Sequence, residues 1–192
     1  MTSTRLSTDV PGSTGDPADP LGPLLSLNVR LWTDLFRSGD PERLVRPFQG
    51  QVLASEGPVT RTVGTVGGYV LHSTRDAHRS ELVEAADEQG GEVARAVAEL
   101  MSFDGGLRPE VRQQQQGTAE AVAIVELLRL EPDIGLGGVE HELIYRLRRL
   151  LVGHGAVVAQ PTSGKRRWEK AGFHPIEGSE LLLWRGNGSL VA

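Results

Sequence analysis

The chain has 192 residues, 39% hydrophobic and 23% charged, with a formal net charge of −5. That is enough chain for one domain with a real core, and the acidic balance speaks against nucleic acid or an anionic membrane surface as partner. There is no cysteine, which excludes disulfides, thiolate zinc sites and a cysteine nucleophile and fits a reducing compartment. No apolar run reaches the length of a membrane span, and the N-terminus lacks the basic-then-apolar pattern of a signal peptide, so a cytoplasmic location is expected.

Residues 1–23, "MTSTRLSTDVPGSTGDPADPLGP", are dominated by Ser, Thr, Gly, Pro and Asp. They carry too few apolar groups to offset the entropy of ordering, which predicts a disordered tail and leaves 24–192 as a single domain. Leu24, Leu27, Leu31, Leu35 and Phe36 recur at helical spacing, ended by Gly39-Asp40-Pro41, and predict a first helix. The Val- and Thr-rich "FQGQVLASEGPVTRTVGTVGGYVLH", punctuated by Glu56-Gly57-Pro58, predicts two antiparallel strands. From about Asp76 to Met101 the pattern is helical, split in two by Gly90-Gly91, with Val93, Val97, Leu100 and Met101 as a buried stripe.

"SFDGGLRPEVRQQQQGT" reads as a loop. "AVAIVELLRL", residues 121–130, is an apolar, β-branched strand ended by Glu131-Pro132-Asp133. "IGLGG" then leads into an amphipathic helix starting near Gly138, with Val139, Leu143, Leu147, Leu150 and Leu151 on one side. "AVVAQ" is a short buried strand, "GKRRWEKA" a short helix and "SELLLWR" a last strand. That strand has two partners open to it, its own sheet or a second copy of the chain, so a homodimer stays open. The order makes the C-terminal half α/β, with antiparallel strands supplied by the N-terminal half.

Three segments carry the chemistry. "VELLRLEPDIGLGGVEHELI" is a strand with a Glu-Pro end, a glycine-rich turn and a helix; "GAVVAQPTS" is the next strand; "RRWEKAGF" closes the set. Together, over about residues 120–185, they resemble the GNAT superfamily of acyl-CoA-dependent N-acyltransferases. Its pattern is a strand of the type L-x-V-x-P, a turn R/Q-x-x-G-x-G/A, a helix, a strand, and a short helix ending near F-Y-E-K-L-G-F. The resemblance implies a mixed, mostly antiparallel sheet flanked by helices on both faces. It also implies transfer of an acyl group, most simply acetyl from acetyl-CoA as co-substrate, to a primary amine on a small molecule or peptide, without a metal.

A glycine-rich loop opening a helix leaves backbone N–H groups pointing outward at the positive end of the helix dipole, which suits pyrophosphate. On the family's pattern Leu136, Gly137, Gly138, Val139 and Glu140 form this phosphate loop, and Leu128 and Leu130 face the pantetheine arm beside a bulge in their strand. Glu126 stands where many members place a carboxylate base, its alternative being an outward-facing strand residue. The chain departs from the pattern at four places. Gly135 replaces the Arg or Gln of the turn, Glu140 the last Gly or Ala, Pro161 an asparagine after the fifth strand, and Trp168 the tyrosine that serves as acid. Indole N–H is no general acid near neutral pH, so Trp168 packs on the core or lines the cleft.

These departures point to a second reading, a GNAT-like domain that has lost catalysis and acts as a binding or regulatory module. A third reading, an α/β nucleotide-binding protein, requires mainly parallel strands. The five histidines show no metal-ligand spacing, and His141, between Glu140 and Glu142, fits an exposed helix face. Arg146, Arg148 and Arg149 suit the dipole at a helix C-terminus as a solvated face, or alternatively contact a coenzyme phosphate. "GKRRW" lacks the spacing of a nucleotide P-loop, and no Gly-x-Ser-x-Gly elbow occurs.

Overall fold

A computed structural model describes residues 24–31, 44–56, 58–72, 78–102, 106–115, 121–132, 134, 139–153, 155–161 and 165–185. The tail at 1–23, the second half of the expected first helix and Gly135 to Gly138 lie outside these. Seven strands form one mixed, mostly antiparallel sheet in the order β1-β2-β3-β4-β5-β7-β6. They are β1 (Leu24–Leu31), β2 (Val45–Glu56), β3 (Val59–Leu71), β4 (Val122–Leu130), β5 (Ala156–Ala159), β6 (Phe173–Pro175) and β7 (Leu182–Trp184). The helices are α1 (Arg79–Asp87), α2 (Gly91–Leu100), α3 (Pro109–Arg112), α4 (Val139–Leu151) and α5 (Lys165–Lys170). β4 and β5 run parallel, while the other described pairs are antiparallel. That balance removes the ground for a doubly wound nucleotide-binding sheet.

The segment from Leu24 is a strand, not the expected helix. Leu25, Leu27 and Val29 alternate with Ser26, Asn28 and Arg30, and that period of two is the one the fold uses. Leu27 is buried, with Leu25 and Val29 packed beside it, and the backbone pairs with β2 from Leu24↔Ser55 to Leu31↔Phe48. The leucines at helical spacing coincided with this alternation over too short a stretch to separate the two. The expected loop after Met101 holds the single-turn α3, started by Pro109 at a position where proline's missing N–H costs nothing. Val111 pins that turn to the core.

The β2–β3 hairpin, the split of α1 from α2, β4, β5, α5 and β7 fall where the sequence placed them. β7 pairs within its own sheet, with β5 on one side and β6 on the other. β6 was unforeseen, being three residues long.

The core divides into two clusters that take alternate residues of the central strands. One contains Ala123 and Val125 of β4, Val157 and Ala159 of β5, Leu143, Ile144 and Leu147 of α4, and Trp168 after it. The other contains Val122 and Ile124, Ala156 and Val158, and the apolar stripes of α1 and α2. The alternation breaks once in β4. Gly67 pairs with Leu127 and Gly68 with Val125, so Glu126 is an extra residue, a β-bulge. Beyond it Leu128 and Leu130 take up the face that Ala123 and Val125 held before it.

Gly68 sits opposite the bulge because nothing larger fits. A Cβ there would lie 1.9 Å from the Ile124 carbonyl oxygen. Gly68→Ala is therefore expected to destabilise the protein by about 3 kcal/mol or more, and a denaturant melt compared with that of Gly67→Ala, where the nearest atom to a Cβ is 3.5 Å away, checks it.

Candidate functional site

β4 and β5 pair only from Val122↔Ala156 to Val125↔Ala159. Past that point β5 ends, and among the described residues no strand lies along the β5 side of Glu126–Leu130. The direction of the backbone groups there follows from two hydrogen bonds. Gln160 N–H donates to Val125 O at 2.9 Å, so Val125 turns its carbonyl toward β5. Glu131 N–H donates to Val63 O at 2.9 Å, so Glu131 turns toward β3. Alternation from Glu131 puts Arg129 and Leu127 on the β3 side and the N–H and C=O groups of Leu130 and Leu128 on the open side. The side chains of Leu128 and Leu130 are buried in the core, so these residues offer backbone to the opening and hydrophobic anchorage beneath it. The Arg61–Glu131 ion pair ties the far end of β4 to β3, which confines the gap to the β5 side.

Glu126 occupies the bulge at the mouth of this gap and is half-buried. Burial holds its carboxyl above the ordinary carboxylate value, and the charge of Glu92, in the first turn of α2, adds to the rise. Tyr69 of β3 is also shifted upward, by burial first and then by the charge of Glu126. These couplings, with Tyr69 packed on the α1–α2 cluster, put Glu126 on the α2 face of the sheet. It is a half-buried acid on which the charge of Glu92 acts and whose own charge acts on Tyr69.

The remaining expected site residues are distributed as follows. Val139 and Glu140 are half-buried in the first turn of α4, Val139 packed against the first core cluster. Leu136, Gly137 and Gly138 lie outside the described residues. Trp168 is a core residue, buried with its ring edge-on to Phe173 at 5.2 Å between centroids. Gly172, which ends α5 with φ +92°, carries a conformation that glycine accepts readily. His141 is not on an exposed face: its ring lies 5.2 Å from that of Trp184, half-buried. Nor is Arg148 a solvated cation, since it donates to Gly155 O at 2.7 Å and Gln114 O at 3.0 Å. Arg146 pairs with Glu142 at 2.6 Å.

Two residues escaped the sequence reading. Gln160 follows β5 and is buried, and Glu92 acts on Glu126 from a helix thirty-odd positions upstream. Glu92 stands among surface-type helical positions and could not be singled out. Gln160 had a weak signal, as an amide closing the otherwise apolar "AVVA". Among the described residues no three His, Asp or Glu side chains converge as a metal site, and no helix is long and apolar enough to cross a membrane. Compared with protein-family models, with curated proteins and with solved structures, the chain has no significant match.

The raised value of Glu126 has a sign that can be measured. The folded state holds its proton to higher pH than the unfolded state, so folding is not penalised below the ordinary value of 4.5. Stability is lost as pH rises from there through the folded-state value. Glu126→Gln removes that loss. The variant is expected to match the parent near pH 4 and to exceed it in stability near pH 7, read from urea midpoints at the two pH values.

Proposed function

We propose that this chain is an acyl-CoA-dependent N-acyltransferase of GNAT type that moves an acyl group, most simply acetyl, onto a primary amine. The observation that carries the reading is the parting of β4 from β5 at a bulge occupied by a half-buried carboxylate. A GNAT-like sheet with helices on both faces accounts for that gap, for the single parallel pair beside it and for the glycine-rich segment that follows. The backbone of Leu128 and Leu130 then pairs with the amide groups of the pantetheine arm. The glycine-rich segment Leu136, Gly137 and Gly138, with Val139 and Glu140 in the first turn of α4, takes the pyrophosphate through backbone N–H groups and the helix dipole.

In the reaction the amine nitrogen bonds to the thioester carbonyl carbon as the carbon–sulfur bond breaks. The nitrogen's proton passes to Glu126, directly or through one water, and the departing sulfur takes a proton from water. Raising the Glu126 carboxyl toward neutrality makes it a stronger base, at the cost of a smaller ionised fraction below its own value. Positioning of the two substrates in the gap supplies much of the remaining acceleration.

The alternative of a binding module without catalysis is favoured by the burial of Trp168, which leaves no hydroxyl at the family's acid position. One pair of measurements separates the two. Calorimetric titration with acetyl-CoA is expected to show binding, and its absence at high micromolar concentration overturns the enzyme reading. With an amine acceptor, Glu126→Gln is expected to bind acetyl-CoA as the parent does while kcat falls by about 10²–10⁴. The parent's kcat should rise with pH through the raised Glu126 value. Binding with no turnover in the parent selects the module.

A further inference from the structure

The bulge leaves Glu126 with unequal neighbours along the α2 face of the sheet. Tyr69 stands opposite Ile124, and both pack on the α1–α2 cluster, so the phenol shares the face of the carboxyl. Tyr69 and Glu126 are diagonal neighbours across the β3–β4 ladder, and such residues lie roughly 7–8 Å apart, within reach of an aromatic side chain. By strand alternation the next residue of β3 on that face is Gly67, opposite Leu127, which has no side chain to offer. Tyr69 is therefore the β3 side chain that flanks Glu126. On its other edge β4 borders the gap left where β5 ends.

Gly67 is not forced by the backbone as Gly68 is. A Cβ there would meet Phe48 O at 3.5 Å and Leu127 Cβ at 3.9 Å, ordinary contacts, and its φ lies outside the left-handed region. Glycine inside a strand weakens it, and where no turn or bulge demands one it fits the close approach of a ligand. Tyr69 and Glu126 are both half-buried, and among the described residues neither polar end is held in a hydrogen bond or ion pair. Glu92 and Glu131, by contrast, are each engaged by an arginine. Burial, and then the charge of Glu126, raise the phenol above its ordinary value of 10.0, so it stays protonated while Glu126 is ionised. The same effect shows that the hydroxyl feels the charge of that carboxylate. A protonated phenol keeps lone pairs that accept, and a carboxylate only accepts. An ammonium, which only donates, gives one N–H to each, and its charge meets the carboxylate.

We infer that Tyr69 is the second group that holds the acyl acceptor, its Oη accepting one N–H of a primary amine while Glu126 faces another, beside the space left by Gly67. The inference rests on the acyltransferase reading, and it makes Tyr69 a binding residue for the amine, with no proton of its own to transfer.

Fluorine NMR of the full chain labelled with fluorotyrosine tests it, since the chain has two tyrosines and Tyr145→Phe assigns the signals. Hexylamine and Nα-acetyl-lysine amide, added without coenzyme, are expected to move the Tyr69 signal saturably, and hexanol is not. The signal of Tyr145, an exposed residue of α4, is the reference. In Tyr69→Phe, acetyl-CoA should bind as in the parent while the KM of the acetylated amine rises about tenfold, as loss of a hydrogen bond to a charged group does. Its kcat should change less, the reverse of the split expected for Glu126→Gln. Gly67→Val, which fills the space beside the carboxyl, should raise the same KM and serves if Tyr69→Phe fails to fold. A Tyr69 signal that neither amine moves overturns the inference, as does an equal shift with hexanol. An unchanged KM in a folded Tyr69→Phe, or in Gly67→Val, overturns it too. Acetyl-CoA titration keeps the two readings apart. Amines that move Tyr69 in a chain binding no coenzyme leave an amine site and remove acyl transfer, whereas coenzyme binding and turnover with an unchanged KM in Tyr69→Phe remove the role of Tyr69 alone.

Discussion

Everything around the candidate site depends on one extra residue in a central strand. A strand in the middle of a sheet ordinarily presents both edges to neighbours, because an unpaired buried N–H or C=O is costly. β4 does so up to Val125 and then inserts Glu126. The insertion keeps β4 bonded to β3, rotates its later residues by one position and leaves the opposite edge with no strand among the described residues. The parting of β4 from β5, the outward backbone groups of Leu128 and Leu130 and the placing of a carboxylate at the fork all follow from that step. The opposite wall must accommodate it, which is why Gly68 has no side chain.

The fork is stable because each part of it is anchored elsewhere. Leu128 and Leu130 sink into the same cluster as α4, so the stretch of β4 past the bulge, paired with β3 on one edge, is held by apolar burial as well. Arg61 and Glu131 clamp the far end to β3. On the other prong, Gln160 bonds both to Val125 and to α2, fastening the end of β5 to a helix. Burial of Glu126 is the unfavourable element left over, and the upward shift of its carboxyl is the direct expression of that cost. A fold with no use for an acid at this point gains stability by replacing it with an amide or an apolar residue.

Much of this scaffold was legible because the relevant signals are local. The β-branched run of β4, the glycine pair between α1 and α2, and Glu-Pro after Leu130 each act over a few residues. The glycine stop at Gly172 behaves as its sequence indicates, with Phe173 buried behind it. β1 was misread because Leu24, Leu27 and Leu31 satisfy a helical spacing while Leu25, Leu27, Val29 and Leu31 satisfy a strand alternation in the same eight residues, and pairing with β2 decides between them. His141 and Arg148 were misread for a different reason. Charged and polar residues on an amphipathic helix look solvated until the packing partner is known, and here Trp184 and two backbone carbonyls take them. The coupling of Glu126 to Glu92 and Tyr69 joins three elements distant in sequence, so no local pattern carried it. The bulge itself left a trace, the change from odd to even apolar positions across Val125-Glu126-Leu127, which is evident only once the strand's faces are assigned.

The absence of a tyrosine at the family's acid position weighs less than its conspicuousness suggests. A thiolate leaves readily near neutral pH, since thiols ionise at about 8.5, whereas an alkylammonium ionises at about 10.4 and must lose its proton before attacking. On the acyltransferase reading the base is the harder requirement, and burial, by raising the Glu126 carboxyl, makes it a stronger one.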